Sequence, residues 1–272
     1  MIVNADDLGM TPGANRAIFD GYDKGLITHS SIMANCDYFK EAMEEVATRP
    51  NLGLGIHLNL TYGKALIPHR LYCDENGIFN LSYSKLLTLK SVSFLAAVEA
   101  EWDAQIEHVL QTSPGALSLT HLDSHRHIHL IPHLYPIAIR LAEKYAIRRV
   151  RLIQENIIDS FMLTKRFNFI LNGGIIKYAL LYLFSLYNRQ YRNLYQDTKF
   201  YSILYTGVVE KKILHKLQHI QDNYEVMVHP SYPELDKDVH FYDASEKAYR
   251  ISSDRKKELE SVCYPSQKSY HV

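Results

Sequence analysis

Short apolar runs alternate along this chain with longer segments whose apolar residues recur three and four apart, and the two periods separate strands from helices. Met1 to Ala5, Ile27 to Asn35, Leu52 to Leu60, Leu117 to Asp123, Arg148 to Ile153, Phe200 to Leu204 and Glu225 to Val228 read as strands. Between them, Thr11-Pro12 is a capped helix start whose helix runs through Asn15, Ala17, Ile18 and Tyr22 to Gly25. Phe39, Ala42, Met43 and Val46 mark a second helix, and Phe94, Val98, Trp102, Ile106 and Val109 a third. Further helices are expected from Ile131-Pro132 to Tyr145, over Lys211 to Ile220 and over Ser253 to Val262. Strand and helix alternate about seven times, which predicts an α/β fold of parallel strands with right-handed crossovers.

Two segments depart from the alternation. Residues 63–91 are irregular, with Pro68, Asn76-Gly77 and several tyrosines, and read as a lid or cleft wall. Residues 160–196 form an apolar helical insertion, read as two amphipathic helices around Gly173-Gly174. That face is expected to join the core or a homodimer interface, with peripheral membrane contact as the minority reading. Its charge-free stretch, Tyr178 to Asn188, is too short for a transmembrane span. Residues 264–272 read as a polar, disordered tail.

The polar residues that break the apolar runs cluster at strand ends. Asp6-Asp7 follows the first strand, His57 lies near the end of the third, and His229 ends the last. Thr120 to His129 is denser still: His121, Asp123, His125, His127 and His129 alternate, so in extended backbone all would leave one face. Each has an ordinary explanation alone; a single histidine in an apolar run is more often core than ligand. In a parallel barrel, however, these ends converge on one rim. One carboxylate and two imidazoles suit a divalent metal with open positions, leaving a carboxylate and a histidine for proton transfer. Alternate strand residues lie roughly 6.6 Å apart, so the histidine run is expected to give one ligand rather than a whole site.

Composition narrows the reading without changing it. The 272 residues suffice for one domain, and 30 basic against 30 acidic residues imply no nucleic-acid partner. Cys36, Cys73 and Cys263 are far apart and odd in number, which suits a reducing compartment. With no basic-then-apolar leader at Met1, a cytoplasmic location is expected.

Asn4-Ala5-Asp6-Asp7-Leu8-Gly9, Gly55-Ile56-His57-Leu58-Asn59-Leu60-Thr61, Thr120 to His129 and Val226-Met227-Val228-His229-Pro230 closely resemble, in order, the signature blocks of the YdjC-type carbohydrate deacetylases. That family includes chitooligosaccharide and hopanoid-biosynthesis deacetylases. The resemblance implies a deformed (β/α) barrel of about seven parallel strands. It also implies metal-dependent removal of acetyl from an N-acetylated sugar or glycolipid. By position, Asp7, His57 and His125 would hold one divalent metal ion, magnesium or zinc. Asp6 would act as base and His229 as acid, while Arg151 and His127 are candidates for substrate contact. Two alternatives stand beside this: a metal- or sugar-binding protein without turnover, and a metal hydrolase of another amide or a phosphoester.

Overall fold

The computed structural model describes residues 1–113, 115–164, 174–191, 198–205, 209–219 and 223–263. Strands β1 (Ile2–Leu8), β2 (His29–Ile32), β3 (Gly53–Leu58), β4 (Leu122–Ser124), β5 (Lys199–Tyr201) and β6 (Tyr224–Val228) form one sheet. Its order is β4-β3-β2-β1-β6-β5, and every pairing is parallel. The helices among the described residues are α1 (Pro12–Lys24), α2 (Phe39–Val46), α3 (Tyr83–Thr88), α4 (Val92–Thr112), α5 (Tyr135–Lys144), α6 (Ile157–Thr164), α7 (Gly174–Asn188), α8 (Lys211–Gln218), α9 (Ala244–Arg250) and α10 (Ser253–Val262). The result is a parallel α/β half-barrel with all strand C-termini on one rim.

Local chemistry accounts for the first crossovers. Thr11 accepts from the Ala14 N–H and Pro12 occupies the first turn, so α1 begins where cap and proline dictate. On α4 the residues Phe94, Val98, Trp102, Ile106 and Val109 are all fully buried, as their spacing predicts. Each such side chain contributes about 1.5–3 kcal/mol by leaving water. The same helix buries Glu101 and Gln105, which are polar but satisfied. Glu101 accepts from the Leu66 and Ile67 N–H groups, and Gln105 bonds both the N–H and the carbonyl of Asn59. Residues 63–91 are thereby tied to the end of β3.

The half-barrel has six strands, not the expected seven. Arg148 to Ile153 makes a single bridge, Val150 with Leu122, through Leu122 N–H to Arg149 O (2.8 Å) and Arg151 N–H to Leu122 O (2.9 Å). No longer ladder forms because β4 is only three residues long; at His125 the chain coils into a 3-10 helix, His125–Leu130. The Phe200 N–H then reaches the carbonyl of the next residue, Gln154, at 3.3 Å, so the chain from Arg149 to Gln154 touches both edges of the sheet. The helix expected from Ile131 starts later, at Tyr135: Ile131 precedes Pro132 and takes a non-helical ψ of 125°, and a turn separates it from the helix.

Residues 160–196 contribute α6 and α7; the turn expected at Gly173-Gly174 falls partly on residues 165–173, outside the described residues, as does the 264–272 tail. Helix α7 is pinned by Asn188 donating to Leu130 O, Ser185 accepting from the Ile153 N–H, and Tyr178 donating to Glu155 O. Among the described residues no helix is long and apolar enough to cross a membrane.

Glu155 is fully buried at this junction, accepting from Ser160 Oγ and from the backbone N–H groups of Ser202, Ile203 and Leu204. Burial outweighs these donors and pushes its carboxyl up to about 7. A folded-state value raised above the unfolded one contributes stability at low pH that is lost as pH rises through the folded value. Urea unfolding is therefore expected to show stability falling by on the order of 3 kcal/mol between about pH 4.5 and pH 7 from this group. Glu155→Gln should flatten that window; an unchanged pH profile in the variant would refute the assignment.

Candidate active site

Adjacent residues of a regular strand face opposite ways, yet Asp6 and Asp7 both line one cavity. The reason is a break in β1. Its register against β2 shifts between Ala5 and Leu8, and Asp7 takes the left-handed conformation, φ 69°. Such bulges re-aim side chains beside active sites. Gly9 follows at φ 90°, a turn that glycine adopts without strain.

The cavity, about 180 Å³, opens at the strand C-termini and is lined by Asp6, Asp7, His57, His125, Arg126, His127, Lys177, Met227, His229, Glu246, Tyr249 and Arg250. Parallel register brings the set together, with His57 level with Asp123 and Ala5 level with Val228, the residue before His229. Asp7 is the hub. Its Oδ1 lies 3.0 Å from His125 Nδ1 and 3.2 Å from His57 Nε2; its Oδ2 takes a hydrogen bond from Arg250 and lies 3.8 Å from His229 Nε2. The other ring nitrogen of His57, Nδ1, is 2.7 Å from Asp123 Oδ1. That contact fixes the ring so that Nε2 faces Asp7. Asp123 is itself held by Ser31 Oγ and Arg151, each at 2.6 Å to Oδ2.

Asp6 takes a two-pronged contact from Arg151, 2.7 and 2.8 Å, and a third from Asn4 at 2.8 Å. The remaining donor edge of Arg151 meets Glu225 at 2.7 Å. Arg151 is therefore a buried hub among three carboxylates: Asp6, Asp123 and Glu225.

The charges follow from this geometry. Burial opposes ionisation of Asp7, but Arg250 and then His125 more than offset it and hold the carboxyl well below the usual range. For His57, burial works against the cation, yet Asp123 and Asp7 raise it to about 10. His229 goes the other way: burial lowers it well below the usual range against the pull of Asp7, with Arg255 and Arg250 adding to the lowering, so it rests neutral. Asp6 is raised by burial and Asp123 against the pull of Arg151.

The histidine run does not form one strand face. Through Ser124 it is strand; then Arg126 and His127 take left-handed conformations, φ 55° and 57°. Two such residues in succession store roughly 1–2 kcal/mol each. The turn sends His125 to Asp7 and gives the cavity His127, whose Nδ1 is buried without a partner among the described residues. His121 bonds Ser31 Oγ and Thr120 Oγ1, its ring fitting against Gly55, where a Cβ would come within 2.3 Å. His129 bridges Ser124 Oγ and the Arg151 carbonyl. Both are structural.

Asp7 Oδ1, His57 and His125 offer buried ligand atoms within 4.8 Å of one another, and the N, N, O set suits a divalent transition metal. Asp6, His57 and Asp123 form a second such group. Both its carboxylates are already committed to Arg151, and its histidine is shared with the first. Glu246, Tyr249 and Arg250 of α9 were missed by sequence reasoning. Glu246 lies 3.8 Å from His125 Nε2 and ion-pairs Arg250 at 2.9 Å. The helix expected near the C-terminus, Ser253 to Val262, begins after all three, so no expected element carried them.

Comparison with known proteins identifies the family. A family described as YdjC-like protein matches residues 1–271. Carbohydrate deacetylase 1 of Listeria innocua serovar 6a is 30% identical over 85% of this chain and 81% of its own length. A carbohydrate deacetylase of Geobacillus stearothermophilus is 36% identical over 55% of this chain and 59% of its own. The fold matches the crystal structure of an Enterococcus faecalis V583 protein described as a candidate cellobiose-phosphate cleavage protein. That match has a TM-score of 0.65 and 23% identity, over 97% of this chain and 90% of that one. With its fold, its rim of carboxylates and imidazoles, and a family match over nearly its whole length, this chain belongs to the YdjC-like family.

Proposed function

We propose that this enzyme removes the acetyl group from an N-acetylated amino sugar, using one divalent metal ion held by Asp7, His57 and His125. The observation that carries the reading is the convergence of those three groups on one cavity that also contains a carboxylate and a neutral imidazole. Relatives named carbohydrate deacetylase support the substrate class.

A metal bound there would polarise the acetyl carbonyl, lower the pKa of a bound water and stabilise the oxyanion. The protein's own groups do the rest. Asp6, its carboxylate oriented by Arg151 and Asn4, takes the proton of the attacking water. Water adds to the carbonyl carbon, the C–N bond breaks, and His229 delivers a proton to the departing amine. Because His229 rests neutral, it must first collect a proton. The one Asp6 has taken closes the balance, and the products are the free amino sugar and acetate. His127 offers an unpartnered ring nitrogen to the sugar. Arg151, its donors engaged by carboxylates, acts on substrate through Asp6.

A non-catalytic binder on this scaffold would have no use for Asp6 fixed by three donors beside the metal group. The decisive experiment purifies the protein, measures bound metal, and assays acetate from N-acetylglucosamine and chitobiose. His229→Ala is expected to retain the metal and slow turnover by ~10²–10⁴-fold, the usual worth of a general acid. Acetate release that needs no metal, or none at all with metal bound, would overturn the proposal.

A further inference from the structure

The catalytic cavity, about 180 Å³, falls below the roughly 300–1,000 Å³ typical of ligand sites. Whatever substrate extends beyond its reacting sugar must continue elsewhere. A second cavity of about 570 Å³ shares Arg126 and Lys177 with the first and is otherwise lined by Tyr83, Ile176, Leu180 and Leu181. Its walls are mostly aliphatic, and its polar groups are two cations and one hydroxyl. The Tyr83 hydroxyl is buried with no hydrogen-bond partner among the described residues. Arg126 is paired with Asp243 at 3.1 Å and lies 3.7 Å from Glu246, whereas Lys177 has no ion pair among the described residues. Oligosaccharide subsites need hydrogen-bonding acceptors and donors along each ring, and this surface offers almost none.

The apolar lining also continues outward. Ile176, Leu180, Leu183 and Tyr187 recur at helical spacing and share one face of α7. Ile176, Leu183 and Tyr187 are 74, 61 and 58% exposed. An aliphatic strip thus begins inside the cavity beside a lysine that makes no ion pair among the described residues and runs out along the helix surface.

We propose that the substrate is an anionic amphiphile, an N-acetylated amino sugar joined through phosphate to a hydrocarbon chain. The phosphate sits between Lys177, Arg126 and Tyr83, and the chain lies over Ile176, Leu180 and Leu183. The proposal rests on the deacetylase reading above and specifies its substrate. Charge complementarity selects the phosphate; continuity with the catalytic cavity selects the substrate's own chain over a separate partner.

The test measures acetate release by the metal-loaded full chain from four probes. They are chitobiose, N-acetylglucosamine 1-phosphate, octyl N-acetylglucosaminide, and the decyl phosphodiester of N-acetylglucosamine 1-phosphate. The phosphodiester is expected to exceed each of the others in kcat/KM by at least ~10-fold, the combined return of chain burial and charge pairing. Lys177→Ala should narrow its lead over the octyl glycoside. Leu180→Ser should instead remove the dependence on chain length, measured against the methyl phosphodiester. Equal kcat/KM for chitobiose and the phosphodiester would overturn this inference while leaving the deacetylase reading intact; no acetate from any probe would remove both. A flat chain-length profile, together with a dimer that Leu183→Asp converts to monomer, would make the face a contact between copies and also overturn it.

Discussion

Replacing His57 by alanine is expected to abolish metal retention and deacetylation together. The imidazole sits between two carboxylates, 2.7 Å from Asp123 and 3.2 Å from Asp7, and both would lose their shared partner. His125→Ala should have the same outcome, since only Asp7 and His57 would remain from the group of three. The loss of turnover should exceed the ~10²–10³-fold cost of a single missing oxyanion contact, because water activation goes with it. Asp123→Asn separates orientation from ligation: it leaves all three ligands but weakens the hold on His57 Nδ1. Its metal affinity should fall by only ~10–100-fold, the usual cost of losing such a partner. Metal content after purification, calorimetric titration and acetate release distinguish the cases. If His125→Ala bound metal and turned over normally, the site as drawn would be wrong.

The chemistry of this rim was legible in the sequence because it lies at strand ends. Parallel strands deliver their C-termini to one side, so the sequence alone groups Asp6, Asp7, His57, His125 and His229. What the sequence left open is backbone geometry and distant partners. Nothing in the letters of β1 announces that Asp7 takes φ 69°, without which Asp6 and Asp7 would face opposite ways. Alternation in the histidine run points to an extended strand, but coiling after Ser124 competes successfully and shortens β4. That also costs the seventh strand, since Arg148 to Ile153 has no ladder left to join. Arg250 meets Asp7 from 243 residues away, in a helix whose charge pattern is that of a solvated face. Only the folded chain brings α9 over the rim.

The second large effect is expected at Arg151, and it is one of stability before catalysis. The guanidinium is fully buried and touches Asp6, Asp123 and Glu225 at 2.6–2.7 Å. Arg151→Met would keep the volume and remove the cation that, among the described residues, all three carboxylates contact. Uncompensated buried charge of this kind costs about 3–5 kcal/mol. The pH dependence follows from sign. In the native protein burial opposes ionisation of Asp123, but Arg151 and His57 hold its carboxyl well below the usual range. That contribution is present above the unfolded pKa and lost as pH falls through the folded one. The gap between native protein and variant should thus be widest at neutral pH and narrow towards pH 4, as the freed carboxylates protonate. Arg151→Lys restores one charge without the planar fork and should recover only part of the loss. Urea unfolding at pH 7 and pH 5 reads the effect directly. A variant that unfolds like the native protein, with only KM raised, would instead make Arg151 a substrate contact. The geometry favours the first outcome, because one side chain joins Asp6, the proposed base, to Asp123, which holds His57 Nδ1. Arg151 therefore joins the carboxylate proposed for proton transfer to the one that holds a proposed metal ligand, so its loss is expected to disturb both.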